Sequence, residues 1–231
     1  MGAAALTGCA GADASDASAG DGPVAPKAGT ELFADSFVDD SNGWALPANE
    51  QGRSDVESGD FVWESRTPNL RPHLLPATLG EAFDRGELRM RDVVVTATFT
   101  PERGKGAFGV FCREVRDTDA DFQWYEFVAR DGYAAIRRAD SAGHLDVLAK
   151  TSKIDLPLGE QTDIQAACVN DDEGQAQLWL GVAGDPVLFA RDAKALGSGA
   201  PGLQAYDAPS NASSARLLVR WHDFTVNEPT N

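Results

Sequence analysis

From Glu31 onward, short apolar runs alternate with clusters of Gly, Asp, Asn and Pro. Within the runs the apolar positions recur at every second residue, the period of a strand with one buried face. In Asp92–Thr100, Val93, Val95, Ala97 and Phe99 fall on one face, and Val94, Thr96 and Thr98 on the other. Phe108, Val110 and Cys112 alternate with Gly109, Phe111 and Arg113, and Ile164, Ala166 and Cys168 share a face of Thr162–Val169. The same pattern predicts strands at Asp60–Ser65, Phe122–Arg130, Tyr133–Arg138, Asp146–Lys150, Ala176–Val182, Pro186–Ala190, Gly202–Ala205 and Leu217–Val226. Ser58-Gly59 and Asp131-Gly132 are the residue types that two-residue hairpin turns demand.

Helical spacing is confined to Ala77–Arg85, inside a long segment, Thr67–Arg91, whose front half is broken by Pro68, Pro72 and Pro76. This segment is expected to run over the sheet, either as a functional loop or as cover for a sheet edge. Many short strands with regular turns predict an all-β fold, a two-sheet antiparallel sandwich or jelly roll. A single sandwich domain over 31–227 is expected, after a flexible segment at 1–30 and before a short tail at 228–231.

Composition narrows the function classes. The formal net charge is -16. Such a surface repels a phosphate backbone and anionic headgroups, so no nucleic acid and no direct membrane contact is expected. No run of about 18 apolar residues is present, so no transmembrane helix is predicted. His73, His144 and His222 are scattered, and no Cys/His spacing suited to a metal occurs. They are read as surface or loop histidines, and no cofactor is indicated. Asp39-Asp40-Ser41-Asn42 carries oxygens of the kind calcium takes, but reads first as turn chemistry.

The N-terminus gives an address. Leu6-Thr7-Gly8-Cys9 resembles a bacterial lipobox, in which Cys9 becomes lipidated. A full signal would add a basic stretch and an apolar stretch of about 7–15 residues. Only Ala3 to Leu6 stands for the latter, so the start is read as the remnant of a truncated signal. Ala10–Thr30 is mostly Ala, Gly, Ser and Asp with two prolines, and Val24 is its one aliphatic side chain larger than alanine. That composition reads as a tether. An extracytoplasmic protein, lipid-anchored or secreted, is expected, touching the membrane only through its anchor. Export makes a disulfide between Cys112 and Cys168 available, both at the ends of inward alternations. Two buried free thiols are the alternative.

Phe33-Ala34-Asp35-Ser36-Phe37, Asn42-Gly43-Trp44 and Val56-Glu57-Ser58-Gly59-Asp60-Phe61 resemble the opening of concanavalin A-like sandwich domains of bacterial, notably actinobacterial, lipoproteins. Gly109-Val110-Phe111-Cys112-Arg113 with Tyr125-Glu126-Phe127 is similar to that group's central hairpin, and Trp221-His222-Asp223-Phe224-Thr225-Val226 to its closing strand. The resemblance spans about Leu32 to Val226. It implies two antiparallel sheets, one of them curved, with the first and last strands adjacent. Thr67–Arg91 is longer than that pattern, and Leu180-Gly181-Val182 departs from it. The wider fold includes lectins, glycosidases and adhesion modules, so fold alone does not fix function.

A retaining glycosidase needs two carboxylates about 5 Å apart. Glucanases of this fold carry them as E-x-D-x-x-E on one strand, and no such string occurs; Glu126 stands on its strand without a partner legible in the sequence. Asp119-Ala120-Asp121 and Asp171-Asp172-Glu173 read as loops. No catalytic residue is assigned. The leading expectation is non-catalytic binding of a polysaccharide or other envelope component. The alternatives are a glycosidase-like enzyme and a purely structural module. Arg113, Gln123, Tyr125 and Arg137 are expected on the sheet face turned from the core, provided that Cys112 points inward and that Gln123 and Tyr125 lie opposite Trp124. Trp63 and Tyr133 are expected beside them. Core or cross-strand packing is the alternative for each aromatic. For the tether, Cys9→Ser should release the protein from membranes; fractionation identical to the wild type would overturn the lipobox reading.

Overall fold

The computed structural model describes residues 23–44, 52–65, 73–84, 90–116, 122–207 and 216–230. Cys9, most of the segment expected to be a tether, Pro68, Pro72 and residues 119–121 lie outside them. The predicted alternations become two antiparallel sheets facing each other across one core. Among the described residues one sheet has eight strands and the other six. In chain order the eight are β1 (Lys27–Asp35), β2 (Gly52–Glu57), β3 (Asp60–Ser65), β5 (Val93–Arg103), β10 (Thr162–Asn170), β11 (Ala176–Val182), β12 (Asp185–Asp192) and β14 (Leu218–Thr230). Their order in space is β12-β11-β10-β5-β14-β3-β2, with β1 also paired to β14. The second sheet has six strands, β4 (His73–Leu74), β6 (Gly106–Arg116), β7 (Phe122–Arg130), β8 (Tyr133–Asp140), β9 (Leu145–Thr151) and β13 (Ala200–Asp207), ordered β4-β13-β6-β7-β8-β9. The first and last strands are neighbours, as the resemblance implied.

Val93, Val95, Ala97 and Phe99 all enter the core, as do Phe108, Val110, Cys112, Ile164, Ala166 and Cys168. Ser58 and Gly59 both take positive φ, 59° and 84°, which matches the right-handed twist of the strands that they join. The Asp131-Gly132 turn closes β7 onto β8 with Arg130 opposite Tyr133.

Both domain edges differ from the reading of the sequence. Lys27–Thr30 belongs to β1 rather than to the tether, and residues 228–230 extend β14 rather than forming a tail. The two segments pair with each other, Lys27 with Thr230 and Ala28 with Pro229. Each is too polar for a core strand but supplies the other's backbone partners. Ahead of β1, the Trp179 indole donates to the Pro23 carbonyl at 3.0 Å, and Ala25 packs against Val94, Ala167 and Trp179.

The Thr67–Arg91 excursion does two things where it is described. β4 covers the edge of β13, and α1 (Ala77–Asp84) follows it, burying Leu79. Among the described residues no helix is long and apolar enough to cross a membrane. Asp39 and Asp40 serve turns: Asp39 accepts from the Ser41 amide at 2.9 Å and Asp40 from the Trp44 amide at 2.7 Å. Asp35 accepts from the Phe37 amide, the Asn42 side chain and the Trp44 indole, which accounts for the order Asp-x-Phe…Asn-Gly-Trp.

Cys112 on β6 and Cys168 on β10 form a disulfide that joins the two sheets. Their sequence separation of 56 means that the bond removes much freedom from the unfolded chain. Replacing both cysteines by alanine should cost about 4 kcal/mol in the chain-entropy description. Urea unfolding of the variant under oxidising conditions measures this, and a reductant should shift the wild-type midpoint but not that of the variant.

Candidate functional site

The core-facing and outward-facing positions of the six-stranded sheet separate the sequence candidates. Cys112 pairs with Tyr125, and Phe111 with Glu126. Directly paired residues share a face. Tyr125 therefore follows Cys112 into the core, and Glu126 follows Phe111 outward. Tyr125 is fully buried, donates to Asp192 at 2.7 Å and accepts from the Leu196 amide at 3.0 Å. Burial pushes its hydroxyl well above the ordinary tyrosine range, so it stays a protonated donor.

Arg113 is also misplaced by simple alternation. It sits in a β-bulge between Cys112 and Val115 with φ of 54°, which turns its side chain away from the expected face. The guanidinium is completely buried. It donates to the Arg91 carbonyl at 2.7 Å and the Leu196 carbonyl at 3.2 Å, and reaches Asp92 at 3.3 Å. Burial lowers its pKa, with Asp92 opposing. Arg113 is a latch between the start of β5 and the segment before β13, not a ligand group. Trp63 lies in the core. Gln123 accepts from Arg138 at 2.9 Å and lines a separate recess of about 320 Å³ with Arg138, Asp140, His144 and Asp192.

Arg137 and Tyr133 do come together, in company that the sequence reading left out. Glu126 stands directly opposite Arg137 across the β7–β8 ladder, and the Arg137 Nη1 donates to Glu126 Oε1 at 2.7 Å. The other carboxylate oxygen accepts from Gln204 Nε2 at 2.9 Å. Nη1 of Arg137 also donates to the Tyr206 hydroxyl, and Nη2 to the Tyr133 hydroxyl at 3.0 Å. The guanidinium lies 5.5 Å from the Tyr133 ring centroid and 5.9 Å from that of Tyr206. Burial opposes its charge, but Tyr206, Glu126 and Tyr133 more than offset that and raise its pKa.

Register builds the floor beneath this cluster. One row across the sheet reads Gln204, Gly109, Val128, Ala135; the next reads Gly202, Phe111, Glu126, Arg137. Tyr206 pairs with Ala107. Small residues in the middle of a row leave the polar side chains standing above them. Gly109 admits no substitute, because a Cβ there would lie 1.9 Å from the Phe127 carbonyl oxygen. Further along the same face, Phe111, Trp124 and Ala139 pack with Leu75, Phe122 and Leu145, and the Phe122 and Trp124 rings stack with centroids 5.4 Å apart. Glu126 and Gln204 are fully buried, Arg137 is 9% exposed and Tyr133 is half-buried, so the cluster meets solvent along its Arg137–Tyr133 side. Gln204 Oε1 is buried without a hydrogen-bond partner.

The two remaining histidines sit elsewhere. His144 is exposed in the β8–β9 turn, bonded to Asp140, and His222 bridges Thr100 and Asp60 on the eight-stranded sheet. A groove of about 560 Å³ lies on that sheet between the segment from Pro23 to Ala28 and Trp179, Gly181 and Phe189.

No family model and no curated protein matches the chain. Solved structures do. A protein of unknown function with a galectin-like fold from Bacillus subtilis superposes with a TM-score of 0.60 at 12% identity, covering 89% of this chain and 99% of its own. SCLam, a non-specific endo-β-1,3(4)-glucanase from family GH16, superposes with a TM-score of 0.56 at 14% identity, over 93% and 96% of the two chains. The fold is the concanavalin A-like jelly roll. A Bacillus licheniformis β-glucanase shares it, with a TM-score of 0.54 at 9% identity over 89% of this chain and all of the other. At such identities the likeness of these jelly rolls concerns fold alone, and the site must be argued from its own chemistry.

The position of Arg113 carries a prediction. Arg113→Ala leaves the Arg91 and Leu196 carbonyls without their donor and should destabilise the jelly roll by about 2–3 kcal/mol. Equilibrium urea unfolding measures it; a loss under about 0.5 kcal/mol, the range of an ordinary surface change, would contradict the buried-latch assignment.

Proposed function

We propose that this jelly roll is a carbohydrate-binding module, and that it reads its ligand with the outer face of the six-stranded sheet. The observation that carries the reading is the Glu126–Arg137–Gln204 cluster between Tyr133 and Tyr206. It is a preorganised polar group at the centre of a sheet face, with unspent hydrogen-bonding capacity and aromatic rings beside it. Sites of this kind fix orientation with few polar groups and supply contact area with aromatic ones. Arg137 keeps N–H donors toward the solvent side, and sugar hydroxyls accept from such donors.

The binding is read as non-catalytic. Both oxygens of Glu126 are held by protein groups, Arg137 and Gln204, which suits a positioned acceptor more than an acid or nucleophile. The ligand is taken to be a polysaccharide or other glycan of the cell envelope. The protein itself is taken to be extracytoplasmic, held to the membrane by a lipid on Cys9. Its lipobox-like Leu6-Thr7-Gly8-Cys9 and the composition of the segment that follows support this address.

The test is a glycan array probed with the full chain, followed by titration calorimetry on the tightest hit. Arg137→Ala should weaken that binding at least about tenfold, the value of one charge-assisted hydrogen bond. Retained affinity in Arg137→Ala would move the site elsewhere, and no signal on any glycan would overturn the carbohydrate reading.

A further inference from the structure

We infer that the cluster selects neutral polyhydroxylated sugars against anionic ones, with Glu126 as the specificity-determining residue; the inference rests on the carbohydrate-binding reading above. It follows from the donors that the cluster has left on its solvent side and from the charge around them. A guanidinium has five N–H donors. Arg137 spends two from Nη1, on Glu126 and Tyr206, and one from Nη2, on Tyr133. Nε–H and the second Nη2–H remain. Tyr133 accepts from Arg137 and keeps its own proton to donate. Gln204 gives its amide nitrogen to Glu126, and its Oε1 is sealed inside the cluster. The groups left on the solvent side are therefore those of Arg137 and Tyr133.

Neighbouring sugar hydroxyls can accept from the donors of Arg137 and Tyr133. A carboxylate, sulfate or phosphate could accept from them too, so the charge of the cluster decides between the two.

That charge favours the neutral ligand. A lone arginine flanked by hydroxyls would be an anion receptor. Here Glu126, at 2.7 Å and fully buried, cancels that charge within the site. The net charge of -16 over the whole chain adds long-range repulsion of anions. Glu126 therefore acts as more than a strut for Arg137: it makes the guanidinium a neutral-site donor.

The experiment uses the full chain and two groups of polymers, neutral ones (laminarin, xylan, mannan) and uronate ones (polygalacturonate, alginate), compared by affinity electrophoresis and calorimetry at low salt. The wild type should bind at least one neutral polymer, and the uronates at least about tenfold more weakly. Glu126→Gln keeps the shape and can still accept from Arg137 through its amide oxygen, but it frees the positive charge. It should raise the uronate-to-neutral affinity ratio about tenfold, with the gain shrinking as salt is added. Wild-type binding of uronates as tight as that of neutral polymers would overturn the inference while leaving carbohydrate binding intact. So would an unchanged ratio in a Glu126→Gln protein that still melts cooperatively. If that variant does not melt cooperatively, the wild-type ratio alone decides. Absence of binding to every polymer would overturn the carbohydrate reading itself, and this inference with it.

Discussion

Among the described residues one covalent link joins the two sheets, the Cys112–Cys168 disulfide, and side-chain bonds such as that from Tyr125 to Asp192 add to it. Within each sheet the backbone ladders hold neighbours together, but between sheets only side chains meet. The Cys112–Cys168 bond fixes one point of that contact, linking β6 near the middle of the six-stranded sheet to β10 of the eight-stranded one. Once Cys112 points inward, pairing settles the faces of its neighbours. Tyr125 must be a core residue, and Phe111 and Glu126 must look outward. The polar cluster on the outer face is the reverse side of the same constraint that packs the core.

Much of this was legible in the chain. Period-two alternation located the strands, and Ser58-Gly59 and Asp131-Gly132 located two hairpins. The Glu126–Arg137 pair could have been read as well. A two-residue turn at Asp131-Gly132 puts Arg130 opposite Tyr133, and counting back four residues on each side puts Glu126 opposite Arg137. The signal was present in the turn chemistry, and only the counting was missing.

Other parts were not legible, for definite reasons. Arg113 follows an inward cysteine, so alternation sends it outward; the bulge and its left-handed backbone send it inward instead. No pattern of side chains announces a bulge. Gln204 lies 78 residues from Glu126, and only the order of strands, β13 beside β6 beside β7, brings them together. The start of β1 was hidden because Lys27–Thr30 is as polar as the sequence before it, and its strand exists only against the end of β14. Tyr125 and Trp63 are amphipathic residues that serve equally in a core or a binding face, so composition alone left them undecided.

The outer side of either sheet could hold a ligand, and the proposed recognition face is that of the six-stranded sheet, reached along its Arg137–Tyr133 side. The eight-stranded sheet carries its own groove beside Trp179, roofed by the segment that leads back toward the N-terminus. Backbone amide shift mapping by nuclear magnetic resonance, during titration with an oligosaccharide cut from the tightest-binding polymer, separates the two directly. The account predicts that saturable shifts concentrate on Tyr133, Arg137, Gln204 and Tyr206. Shifts concentrated on Trp179, Gly181 and Phe189 instead would contradict it.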